Sequence, residues 1–270
     1  VRKVSAPGAK YNPRVQLSEI QWIVAAVSAF LIGFSKTGLP GLGILAVPMM
    51  AFAFGGRLSV GATLPLLVLA DCFAVAFYRA DADWNAIKKL SPWVVFGIVA
   101  GTCALIALAE LKPTKDLLSP IIGGIVLVML ALSLLKGKLG DRLVPTSKLG
   151  TAFTGTMAGF TTMTSNAAGP VMGIYMASAG FSKKVLLGTS AWTFFIFNIA
   201  KLPPLLLVNA LYPGRPLITA DTLWMNLLVA PALISGALLG KPLAAKIPEK
   251  LFTVLIQALA AIAAVRLLFT

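Results

Sequence analysis

The chain is 270 residues long, 58% hydrophobic and only 12% charged. Soluble domains carry about 25% charged residues, so the composition excludes a soluble globular protein and points to a polytopic membrane protein. Nor does the formal charge of +14 point to nucleic acid: the basic residues are scattered between apolar runs, without a patch that alternates with aromatics, and they read as cationic loops facing anionic lipid.

Residues 1–16 are basic and proline-containing and read as a surface tail. The apolar runs of a first set follow: Leu17–Phe34, Ile44–Phe54, Leu58–Tyr78, Leu90–Ala109 and Leu117–Leu135. A polar linker, Lys136–Lys148, separates them from a second set: Leu149–Phe160, Gly169–Gly180, Val185–Ala210, Leu223–Gly240 and Leu251–Thr270. Most runs are close to the roughly 20 residues that a membrane-spanning helix needs, and the second of each set is too short to span. The expected domains are therefore a tail (1–16), a first transmembrane repeat (17–135), a linker (136–148) and a second repeat (149–270).

The two sets read as copies. At one constant offset Gly33-Phe34 matches Gly159-Phe160, Gly43 matches Gly169, Arg57 matches Lys183, Thr63 matches Thr189 and Ala74 matches Ala200. Slightly larger offsets then align Asp81 and Trp84 with Asp221 and Trp224, and Pro92, Gly97 and Gly101 with Pro231, Gly236 and Gly240. The first two runs of each set together exceed a ~30 Å hydrocarbon core at ~1.5 Å per residue, so they read as a broken or re-entrant hairpin. Three further spans then give each copy an odd number of net crossings, which predicts an inverted repeat of the kind transporters use. Most of the basic loops, around Arg79/Lys88/Lys89, Lys136–Lys148, Lys183/Lys184 and Lys241–Lys250, fall on one side, which the positive-inside bias makes cytoplasmic. The basic tail argues the other way.

Each hairpin is broken by residues that can do chemistry. The first break reads Gly33-Phe34-Ser35-Lys36-Thr37-Gly38-Leu39-Pro40-Gly41-Leu42-Gly43. Glycine and proline free backbone groups from the helical ladder, and hydrocarbon tolerates such groups only where protein or a water-filled cavity meets them. The second reads Thr161-Thr162-Met163-Thr164-Ser165-Asn166-Ala167-Ala168-Gly169-Pro170. Two breaks meeting near the midplane aim helix N-termini and hydroxyl donors at one point, an arrangement suited to an anion. On the bland alternative, the hydroxyls of Thr162, Thr164, Ser165 and their neighbours only cap helices and tie them together.

Lys36 brings a charge that costs about 2.5–3.5 kcal/mol at mid-membrane. It either serves a site there or snorkels to the far surface. Lys201 is deeper in its run, beside Asn198 and ahead of Pro203-Pro204, which should break or kink the helix. Asp71, well inside Leu58–Tyr78, is either a lysine's counter-ion, a protonatable coupling group or a neutral structural acid. Thr63, Thr189 and Ser190 either complete a polar lining or bond carbonyls one turn back. Arg57 and Lys183/Lys184 read as interfacial anchors, and Trp84 and Trp224 as part of an aromatic belt. Gly97/Gly101 and Gly236/Gly240 read as close-packing positions.

The chain has no histidine, which removes imidazole catalysis and most imidazole metal sites; no metal or cofactor is expected. Cys72 and Cys103 both lie in apolar runs and form no disulfide scaffold. An intramembrane enzyme would need a nucleophile–base pair or a carboxylate cluster that the runs lack. A cation pathway would carry acidic residues rather than Lys36 and Lys201.

Gly-Phe-Ser-Lys-Thr-Gly-Leu-Pro-Gly at 33–41, Gly-Thr-Ser at 188–190, Asn-Ile-Ala-Lys-Leu-Pro at 198–203 and the duplicated layout resemble the TauE/SafE sulfite exporter family over roughly residues 17–270. The resemblance implies secondary transport of sulfite, organosulfonates such as sulfoacetate, or related carboxylates across a bacterial inner membrane, by a multi-pass protein that is not an enzyme. It implies substrate-site roles for Ser35, Lys36, Thr37, Thr189, Ser190, Asn198 and Lys201. The residues themselves add Gly38, Thr63, Thr162, Thr164, Ser165 and Asn166, with Asp71 as the coupling candidate. The second break departs from the glycine-rich form often seen in the family, and the substrate stays open. The expected partners are a small anion and the lipid bilayer, with a homo-oligomer left open.

Overall fold

The computed structural model describes residues 17–39, 42–111, 116–139, 147–178, 180–244, 246 and 249–269. The tail 1–16, most of the linker (140–146) and Pro40-Gly41 of the first break lie outside the described residues. Within them the architecture is all α-helical: α1 (Glu19–Thr37), α2 (Gly43–Phe54), α3 (Gly56–Tyr78), α4 (Trp84–Glu110), α5 (Leu118–Leu139), α6 (Lys148–Ser165), α7 (Gly169–Ser178), α8 (Lys183–Ala200), α9 (Leu202–Leu211), α10 (Ala220–Ala244) and α11 (Glu249–Leu268). A 3-10 turn, Arg79–Asp81, follows α3.

Local chemistry sets most of the boundaries. Ser18 caps α1 with a capping box, its hydroxyl accepting from the Gln21 N–H while Gln21 accepts from the Ser18 N–H. Asp83, Ser147 and Ser182 cap α4, α6 and α8. The run Val185–Ala210 is two helices rather than one, because Pro203 and Pro204 fit only the first turn of a new helix: α8 ends at Ala200 and α9 starts at Leu202.

Among the described residues six segments are long and apolar enough to cross a membrane: Glu19–Thr37, Gly56–Asp81, Trp84–Glu110, Leu118–Leu135, Lys184–Leu211 and Ala220–Leu243. Helices α2 (12 residues) and α7 (10 residues) are too short at ~1.5 Å per residue, matching the short second run expected in each set. Exposed apolar side chains cover the outside, among them Val95, Phe96 and Val99 on α4, Leu206 and Leu207 on α9, and Leu227 and Leu228 on α10. Water does not tolerate apolar surface on that scale; hydrocarbon does. The chain is a multi-pass membrane protein.

Helix α1 packs on α10 and α6 packs on α4, while α3 crosses α8 and α5 lies along α11. The first two contacts are made at glycines. A Cβ on Gly33 would strike the Leu233 carbonyl, and one on Gly236 would strike the Phe30 carbonyl. Between α4 and α6 a Cβ on Gly159 would strike the Val94 carbonyl, and one on Gly97 the Thr156 carbonyl. The offsets that align Gly33 with Gly159 and Gly97 with Gly236 also relate the residues they touch, Phe30 to Thr156 and Val94 to Leu233. Gly97/Gly101 and Gly236/Gly240 are therefore the close-packing positions their spacing indicated.

Candidate functional site

Both breaks are shaped by the side chains around them. Helix α1 ends at Thr37, where the Gly38 N–H donates to the Phe34 carbonyl (2.9 Å). The Thr37 hydroxyl donates to the Ala237 carbonyl of α10 (2.7 Å). Gly38 faces the backbone of Gly240 so closely that a Cβ there would lie 2.6 Å from its oxygen. Ser35 reaches across the break and accepts from the Gly43 N–H at the start of α2 (3.0 Å), so one otherwise orphaned donor of that helix is satisfied.

Helix α6 ends at Asn166, which takes the left-handed conformation (φ 59°, ψ 21°) that asparagine tolerates better than most residues. Its amide bridges two other elements. Nδ2 donates to the Val60 carbonyl of α3 (3.0 Å), and Oδ1 accepts from the Lys201 ammonium (2.7 Å). An ammonium only donates, which fixes the amide's orientation. Lys201 Nζ also donates to the carbonyl (3.2 Å) and the hydroxyl (3.1 Å) of Thr162. Lys201 is 1% exposed, and its ammonium clamps the α8–α9 junction to the end of α6.

The other lysine has a different environment. Lys36 Nζ lies 2.7 Å from Asp71 Oδ1, with the lysine side chain 15% and the aspartate 0% exposed. Asp71 Oδ2 accepts from Asn198 Nδ2 (2.6 Å), and among the described residues no further group donates to Oδ1. Asp71 is thus the counter-ion of Lys36. The Lys36 ammonium also lies 4.0 Å from the centre of the Phe194 ring, within cation–π range. Asn198 and Lys201 are about one turn apart at the end of α8, so this one stretch serves both lysines.

Between the breaks lies a cavity of about 1000 Å³, counting its open mouth. Ser35, Lys36, Thr63, Thr162, Asn166, Ser190 and Asn198 supply its polar wall. Ile32, Val47, Leu67, Leu187, Ala191 and Phe194 are part of its apolar wall. Seven of the residues singled out in the sequence are thus brought together.

The others are placed elsewhere. Thr37 and Gly38 are committed to the contact with α10. Thr164 and Ser165 donate to carbonyls one turn back, Phe160 (2.9 Å) and Thr161 (2.8 Å). Thr189 accepts from the Asp83 N–H at the start of α4 (2.9 Å). Lys201 and Asp71 stand behind the wall, touching it through Thr162, Asn166, Lys36 and Asn198. Even within the wall, Thr63 donates to Ser59 O (2.6 Å) and Ser190 to the Met176 sulfur (3.0 Å). Arg57 is a half-buried strut rather than a free anchor, its Nε donating to the Arg215 carbonyl (2.7 Å). Phe194 and Leu187 were not singled out in the sequence, although helical spacing from Ala191 and Asn198 puts them on one face of α8.

Among the described residues no cluster of acidic, histidine or cysteine side chains could hold a metal. Membrane-crossing helices folded around two interrupted ones, with a lysine at the internal cavity between the interruptions, are the build of a membrane transport protein. The family model described as Sulfite exporter TauE/SafE matches residues 25–267, and the chain belongs to this family of membrane transporters. No curated protein and no solved structure matches it.

Proposed function

We propose that the protein exports small sulfur-containing anions, sulfite or organosulfonates such as sulfoacetate, across a bacterial inner membrane by alternating access. The observation that carries the anion site is Lys36. It is the charged residue in the cavity wall, at the break of α1 and partly exposed to the cavity. Its ammonium, paired with Asp71 on one side, still presents positive charge to a low-dielectric wall, where an arriving anion interacts with it more strongly than in water. Family membership supports sulfite or its relatives as the cargo.

Alternating access would use two inverted halves, 17–135 and 149–270, moving against each other. The reciprocal contacts Gly33–Leu233 with Gly159–Val94, and Gly236–Phe30 with Gly97–Thr156, support this division, since exchanging the halves maps each contact onto its counterpart. A dianion leaving an energised cell gains about 2.3 kcal/mol per charge per 100 mV, so export needs no coupled ion.

A second reading, proton-coupled import of the same anions or of small carboxylates, is favoured by the Lys36–Asp71 pair. An anion arriving at Lys36 competes with the Asp71 carboxylate 2.7 Å away. A proton on Asp71 removes that competitor and keeps the loaded site neutral. Proteoliposome flux of labelled sulfite and sulfoacetate, with and without an imposed pH gradient, separates the two readings. Flux that ignores the pH gradient and follows the potential supports export; uphill uptake driven by the gradient supports coupling. Wild-type flux in Lys36→Ala eliminates the anion site altogether.

A further inference from the structure

We infer that the cavity prefers an organic monoanion with an apolar body to a bare inorganic oxyanion. The inference rests on the reading of the cavity as the anion site and concerns what kind of anion fits it. Charge is the first argument. Of the described residues lining the cavity, Lys36 alone is charged, and Asp71 already neutralises much of its field. The three donors of the Lys201 ammonium are all taken, by two atoms of Thr162 and by Asn166. One partly neutralised cation matches one negative charge. A dianion such as sulfoacetate brings a second charge that no described lining residue matches, and should bind more weakly.

The supply of hydrogen bonds points the same way. Thr63 and Ser190 spend their protons on Ser59 O and the Met176 sulfur, and Asn198 and Asn166 each spend one of their two amide hydrogens on Asp71 and Val60 O. Ser35 and Thr162 are different, since their oxygens accept from Gly43 N and Lys201 and their own protons stay available. Lys36 and these two hydroxyls suffice for the oxygens of a single sulfonate or carboxylate head. They stand at the ends of α1 and α6, at positions that correspond between the halves: Thr162 occupies the place of Lys36.

The lining completes the case. A polar head placed at Lys36 leaves the rest of the cavity to apolar neighbours. Leu67, Leu187, Ala191 and Phe194 line the remaining space. Water there gains few hydrogen bonds, and an apolar tail displaces it favourably.

The test is the affinity of the purified, full-length protein for methane-, ethane-, propane- and butanesulfonate and for sulfite, measured by calorimetry at one ionic strength. The expected dissociation constant falls about fourfold per methylene, the transfer free energy of one buried CH₂, with sulfite weaker than butanesulfonate. In Leu67→Asn, which places an amide in the apolar wall, the dependence on chain length flattens. Sulfite binding tightest, with no dependence on chain length, overturns the inference and leaves the anion site standing. A folded wild-type protein, with a single cooperative melting transition, that binds neither sulfite nor any alkanesulfonate overturns both.

Discussion

Replacing Lys36 with methionine keeps the length of the side chain and removes its charge. The Asp71 carboxylate is then left 0% exposed, with Asn198 donating to one oxygen and nothing donating to the other. At an effective dielectric of ~20, charges 2.7 Å apart attract by about 6 kcal/mol. The two charge centres are farther apart than their nearest atoms, and desolvation offsets part of the attraction, so this is an upper bound. Removing one partner of a buried pair typically costs about 3–5 kcal/mol, and that is the expected loss for Lys36→Met. Asp71→Asn leaves the less buried ammonium over the Phe194 ring and should cost less, about 1–3 kcal/mol. The double variant has no stranded charge, so its loss should fall short of the summed single losses by at least ~2 kcal/mol. Reversible unfolding in mixed micelles measures the stabilities, and proteoliposome flux of labelled sulfite measures function. Lys36→Met and the double variant should both lack flux, and the well-folded double shows that the loss is not one of folding. Additive stabilities would refute the ion pair as an energetic unit, and wild-type flux in the double would remove Lys36 from the substrate path.

Lys201→Met strands two atoms of Thr162 and the Asn166 carbonyl oxygen; the expected cost is about 1–3 kcal/mol, with flux lost alongside the melting transition, and unchanged stability would overturn the clamp. Gly33→Val and its counterpart Gly159→Val drive a side chain into the carbonyls of Leu233 and Val94; each should cost at least about 1–3 kcal/mol, seen as reduced melting temperature or failed expression, and an unaffected protein would refute the close approach. Thr164→Val removes only a bond to Phe160 O; flux should match the wild type and stability should move by less than ~1 kcal/mol, and a loss of flux would return Thr164 to the site.

The breaks were legible because their causes are local. A cluster of glycine and proline interrupts a helix where a single one need not, as Pro48, Pro65 and Pro92 inside α2, α3 and α4 show, so the interruption after Thr37 and the division of Val185–Ala210 before Pro203-Pro204 can be read from a few adjacent residues. The close-packing glycines were legible for a related reason: spacing of four on an apolar helix leaves a smooth strip that another backbone can approach. Hydroxyls were read less well. Thr164 lies two residues from Thr162 in the same helix, yet it bonds back to Phe160 while Thr162 meets Lys201 and the cavity. A threonine that satisfies itself and one that serves a site are identical in sequence.

The membrane character of the chain and the places where its helices are interrupted were determined by sequence alone, because hydropathy and backbone chemistry act residue by residue; the sequence leaves open whether Lys36 and Lys201 are buried. Tertiary structure decided what each lysine does. Lys36 and Lys201 both end their helices inside an apolar run, but the crossing of α3 over α8 sets Asp71 and the cavity beside one, and the end of α6 closes over the other. In a dry interior each charge takes its role from the partners that packing brings within about 3 Å, and those partners come from distant parts of the chain.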